Sequence, residues 1–173
     1  MTKRFKHPLD KIRADVQQRV FDAIALQHDS ASEHSPLEGI MSAALYAWSI
    51  CNLEAHCFDK IEVWTSSAPL PEALPSDPGV CCYIFPQVPI LNYVADFVVF
   101  APKGEGWSKL VVECDGHDFH ERTKEQAAHD RARDRSMQEA GYTVFRFTGA
   151  EIYRDPIACA RQVIAWAMKE TFG

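Results

Sequence analysis

Residues 93–115 read YVADFVVFAPKGEGWSKLVVECD, two apolar runs joined by PKGEG. Runs rich in valine and aromatic residues on either side of a short glycine-containing segment are the sequence form of a β-hairpin. The expected strands are 93–100 and 109–114, and antiparallel pairing brings the start of the first beside the end of the second. Both of those places hold acids that a strand interior disfavours: Asp96 in one run, Glu113 and Asp115 in the other. An ionised carboxylate taken into a core is costly, so Asp96 must be ion-paired to an arginine, protonated or bound to a cation.

Strand alternation assigns Val111, Glu113 and Asp115 to one face and Leu110, Val112 and Cys114 to the other. Three carboxylates then converge at one end of the hairpin. Their mutual repulsion raises their pKa values unless a divalent cation sits among them, and hard oxygen ligands with water are what Mg²⁺ prefers. His117 and His120 follow directly; a histidine beside such a centre can exchange protons near neutral pH, and the alternative for each is a solvated surface ring. Cys114, His117 and His120 also offer zinc ligands, although no second paired motif accompanies them.

Upstream, CCYIF (81–85) is expected to be a strand, PQVPIL a turn, and KIEVW (60–64) a short strand candidate. TSSAPLPEALPSDPG (65–79) contains four prolines and is an excursion within one domain, because too little chain lies on either side for two cores. Apolar spacing predicts helices over 8–29 and from Pro36 to about Phe58, the second opened by Ser35 as a cap. At Ser35-Pro36-Leu37-Glu38, Glu38 either closes a capping box or joins the acids of the hairpin. Downstream, 121–140 reads as a helix, GYTVFRF (141–147) as a strand after a glycine stop, and 155–171 as a closing helix. In the first of these helices Gln126, Asp130 and Arg133 form one stripe, facing phosphates or merely solvent. Arg146 alternates with Val144 and Tyr142 and points toward the same acids, or pairs with Asp96 or Glu151.

The order helix, three strands, helix, strand, helix gives an α/β chain of the α+β type, a single domain with a mixed sheet flanked by helices. Residues 1–34 are an N-terminal helical extension, 35–152 the core and 153–173 the closing helix. The 173 residues are 47% hydrophobic and 24% charged, enough for one sizeable core. A formal charge of −6 argues against bulk electrostatic coating of nucleic acid but leaves room for a local basic face. The sequence has no membrane-length apolar run, and MTKRFKHPLD lacks a signal-peptide core, so the expected location is the cytoplasm. Six cysteines without a CxxC pair, mostly in apolar runs, are expected to be buried free thiols.

QVPILNYVADFVVF, KLVVECDGHDFH, QAAHDRARD and GYTVFRFTGAEI, spanning Gln87 to Glu151, resemble the small PD-(D/E)XK nucleases of the DUF559 and very short patch repair endonuclease-like group. The resemblance implies a restriction-endonuclease-like core and metal-dependent cleavage of phosphodiester bonds, in DNA. It makes Asp96 and Glu113 ligands of Mg²⁺, with Mn²⁺ as a substitute, and Glu38 an accessory ligand. Gln126, Asp130 and Arg133 become second-layer or phosphate-facing groups, joined on the substrate side by Gln87 and Arg146. Asp115 stands where the broad superfamily usually has lysine, which shifts the acid or base role toward His120 or a metal-bound water. That departure keeps a rival open, a catalytically inactive nuclease-like module that binds nucleic acid or a protein partner. Cutting both strands of a duplex would favour a homodimer.

Overall fold

The computed structural model describes residues 17–26, 28–29, 35–51, 60–63, 74, 80–116 and 124–173. His117 and His120 lie outside the described residues, as do most of the proline-rich stretch and residues 1–16. Residues 17–26 are helical (α1), followed by α2 (Pro36–Cys51), β1 (Lys60–Val63), β2 (Val80–Ile90), β3 (Tyr93–Lys103) and β4 (Gly106–Asp115). The chain continues through α3 (Lys124–Glu139), β5 (Tyr142–Thr148), α4 (Gly149–Arg154) and α5 (Pro156–Phe172).

The five strands form one mixed sheet in the order β1-β2-β3-β4-β5. The β2-β3-β4 meander is antiparallel, while β1 joins β2 and β5 joins β4 in parallel. Three fully buried apolar runs explain the centre: Cys81–Phe85, Phe97–Ala101 and Leu110–Val112 have both faces covered. On one face, α2 contributes Leu37, Met41, Ala44, Leu45 and Trp48, and α5 contributes Cys159, Ala160, Val163, Ile164 and Ala167. On the other, Met137 of α3 packs among Tyr83, Phe85, Val98, Phe100 and Val111. The result is a helix-sheet-helix sandwich around the hairpin that opened the sequence.

Several boundaries differ from expectation. PQVPIL is not a turn: β2 runs through it to Ile90, and the chain reverses at Leu91 and Asn92. The prolines are tolerated because β1 stops opposite Ile84, so Pro86 and Pro89 lie where β2 has a described ladder on one side only. The hairpin expected at PKGEG turns at Gly104 and Glu105, with Gly104 in the left-handed region at φ 58°. The short helix α4 was not anticipated; Thr148 caps it in a reciprocal capping box with Glu151.

The alternation of β2 and β3 also breaks at one shared rung. Tyr83 and Phe85 face the α3 layer, yet so do Val88 and Ile90. On the partner strand, Phe100 and Val98 face that layer, and so do Ala95 and Tyr93. Both strands therefore change parity between those pairs, at Gln87 on β2 and at Asp96 on β3. The register is conserved across the break, with Pro86 opposite Phe97 and Val88 opposite Ala95. Gln87 adopts φ 50°, a left-handed conformation inside a strand.

Candidate functional site

The β3–β4 ladder ends at Phe97 opposite Val112, so Asp96 and Glu113 are the next residues beyond its last pair. The Asp96 carboxylate turns into the gap and accepts the Cys114 backbone N–H at 2.7 Å. Glu113 is 5% exposed and accepts from Arg133 Nη2 at 2.5 Å. Glu38, at the first turn of α2, accepts from Gln87 Nε2 at 2.5 Å. Its side chain is thus aimed at β2 and not back at its own helix, where Ser35 Oγ accepts from the Leu37 N–H and Ser35 is the cap. Glu38 thus bonds Gln87 of β2 and lies within the field of Asp96.

The electrostatics tie the three acids together. Burial, then the charge of Asp96, push the Glu38 carboxyl up to about 7, with the Gln87 hydrogen bond pulling the other way. Burial and Asp96 likewise push Glu113 up to about 7, against the opposing pull of Arg133 and Arg146. The Cys114 thiol is pushed well up by burial and by all three acids, which disfavours its use as a thiolate ligand. Asp96 itself is half-buried, and the neighbouring strand holds it through the Cys114 backbone N–H. Among the described residues, no three His, Cys, Asp or Glu side chains are placed to hold a metal ion as they stand.

The basic side comes from α3 and β5. Arg133 also donates to the Val94 carbonyl at 3.1 Å and lies over the Tyr93 ring at 5.3 Å, fixing α3 to the start of β3. Arg146 stands directly beside Glu113 in the parallel β4–β5 register. It pairs with Asp134 of α3, Nη2 to Oδ1 at 2.7 Å, and not with Asp96 or Glu151. Glu151 is engaged by the Thr148 cap, and α3 lies over β5, which puts Asp134 within reach instead. Asp130 adds to the negative field that favours the charged Arg146. Arg133 and Asp134 thus pair across to the sheet, not within the helix as a self-paired solvated face would. Gln126 lies in α3 with its side chain outside the described set. Asp115 stands opposite Thr148 at the end of β4, half-buried.

Sequence reasoning missed Asp134, the partner of Arg146; its only signal was an acid adjacent to Arg133 in ARDR. The expected thiols are as read for four positions: Cys81, Cys82 and Cys159 are buried and Cys114 partly so, all free.

The fold and this site define a helix-sheet-helix protein with paired acids at the open end of a hairpin. Residues 81–166 match the model of REase_MTES_1575, a restriction endonuclease-like family, and that match supports a nuclease-like protein of this kind. The stretch includes Gln87, Asp96, Glu113, Arg133 and Arg146, while Glu38 precedes it. A protein of Haemophilus influenzae that bears the name "Uncharacterized protein" is 31% identical over 77 residues, 44% of this chain and 57% of that protein. The chain therefore spans little more than half the length of that relative. No solved structure matches the chain. Among the described residues, no helix is long and apolar enough to cross a membrane.

Proposed function

We propose that the chain is a metal-dependent endonuclease that hydrolyses phosphodiester bonds of DNA. We place it in the DUF559 and very short patch repair endonuclease-like group of PD-(D/E)XK nucleases, acting in the cytoplasm. The observation that carries this reading is Asp96, at the end of the β3–β4 ladder, acting electrostatically on both Glu38 of α2 and Glu113 of β4. Two buried carboxyls, each pushed up by the charge of Asp96, are a poor arrangement for stability alone, and a cation would relieve them.

Mg²⁺ characteristically rests on one or two carboxylates with waters and substrate phosphate, not on a closed protein cage. Asp96 and Glu113 fit that donor set, with Glu38 as accessory and Mn²⁺ as a substitute. The chemistry a cation supplies in such a site is polarisation of a phosphoryl oxygen and a more acidic water. The chain's own contribution is rigidity: Asp96 is pinned by the Cys114 N–H and Glu113 by Arg133, both on strands of the central sheet. Arg133 and Arg146 hold positive charge beside the acids, the charge a phosphodiester needs there. The family resemblance assigns proton transfer to Asp115 and His120, and second-layer roles to Gln126 and Asp130. A homodimer is the arrangement that would cut both strands.

Incubation of the full chain with single-stranded, duplex and mismatched DNA in Mg²⁺, Mn²⁺ or EDTA tests this, alongside calorimetric titration of Mn²⁺ into the protein alone. The expected result is cleavage with either metal, none in EDTA, and saturable Mn²⁺ binding. Absence of both cleavage and metal binding would sink the proposal and favour a nucleic-acid or protein-binding module.

A further inference from the structure

The parity break shared by β2 and β3 has a local centre, Gln87. At φ 50° a glycine or asparagine would be the inexpensive choice, because a longer side chain strains the backbone there. The chain nevertheless carries glutamine, on a strand rung opposite Asp96. The side chain has a defined task in the structure. Its Nε2 donates to Glu38 Oε2 at 2.5 Å, bridging β2 to the first turn of α2 across 49 residues of sequence.

From this geometry we infer that Gln87 is a positioning residue: its left-handed backbone swings the amide out of the strand so that it holds the Glu38 carboxylate beside Asp96. The inference rests on the nuclease reading for its functional consequence and replaces a substrate-binding role for Gln87 with an indirect one. Without the amide, Glu38 is a carboxylate on the end of a helix with rotamers of its own and no fixed approach to the hairpin acids. With it, α2 is keyed to the rung where both strands change face. The strain is therefore kept because the side chain it presents is needed.

Gln87→Gly separates backbone from side chain. Glycine suits φ 50°, so the variant should melt at or above the wild-type temperature, whereas Mn²⁺ affinity measured without nucleic acid should weaken by roughly 10- to 100-fold, as for loss of an outer partner of a ligand. Cleavage should fall at low metal and recover toward wild type at saturating metal, and Gln87→Asn, which keeps an amide on a shorter stem, should lie between the two. Wild-type metal affinity and metal dependence in Gln87→Gly would overturn the inference. A separate readout needs no metal: the Gln87 side-chain NH₂ resonances should be protected from exchange in the wild type and lose that protection in Glu38→Ala. Failure of the wild type to bind metal or cleave would count against the nuclease reading alone, and unprotected Gln87 resonances in the wild type would count against the positioning role.

Discussion

Glu113→Gln should abolish cleavage, by on the order of 100-fold or more, while leaving a protein that melts at a higher temperature than wild type above pH 7. On the proposed nuclease reading, the catalytic loss comes from removing one of the two carboxylates assigned to the cation; losses of that size are typical when one group acting on the reacting centre is deleted. The stability gain follows from the opposite requirement. The carboxyl has an ordinary value of 4.5 and is pushed up to about 7 in the fold by burial and Asp96. The folded state therefore holds its proton more tightly than the unfolded chain. The stabilising protonated form is fully present below pH 4.5 and is lost as pH rises through 7. The difference between 4.5 and about 7 corresponds to ~3 kcal/mol at most, partly offset by the weaker bond that a neutral amide makes with Arg133. Melting curves of both proteins at pH 5 and pH 8 check the sign. The gap should open at pH 8 and nearly close at pH 5; a variant less stable than wild type at pH 8 would contradict the account.

Arg133→Met should have the opposite pH signature. The substitution keeps an unbranched stem against Tyr93 but leaves Glu113 buried with its closest counter-charge gone. At pH 8 the cost should be about 3 kcal/mol, the usual result of breaking a buried pair from one side. Near pH 5 Glu113 is protonated and the loss should shrink to roughly 1 kcal/mol, the remaining share of the Val94 hydrogen bond and the ring contact. Combining it with Glu113→Gln should recover most of the pH 8 loss, since no charge remains to be orphaned. Denaturant titrations of the four proteins at both pH values give the cycle directly. Strictly additive effects of the two substitutions at pH 8 would mean that the two side chains do not act as a pair.

Much of this was legible in residues 93–115. Two valine-rich runs around a glycine turn can satisfy their apolar faces in few ways, so pairing and register follow, and the register puts Asp96 beside Glu113. Strand alternation correctly separated Val111 and Glu113 from Leu110, Val112 and Cys114. What stayed hidden was non-local or irregular. The choice of Glu38 between its own helix end and Gln87 is decided by where α2 lands on the sheet, which no local motif specifies. A left-handed glutamine within β2 leaves no mark on a period-of-two pattern, and the prolines beside it suggested a turn instead. Arg146 lies beside Glu113 in the β4–β5 register, but its side-chain partner Asp134 depends on how α3 crosses β5.

The acids occupy the open end of a hairpin whose closed end, Gly104 and Glu105, lies seven ladder pairs away, about 23 Å along the strands. The two ends are thus mechanically separate parts of one rigid rod. The closed end becomes the natural port for engineering: a tether, reporter or binding module spliced between Gly104 and Glu105 should ride on the sheet without disturbing the carboxylates. It would also leave the β2–β3 turn at Leu91 and Asn92 untouched. Unchanged Mn²⁺ affinity in such a fusion would establish that the scaffold can carry cargo and chemistry at opposite poles.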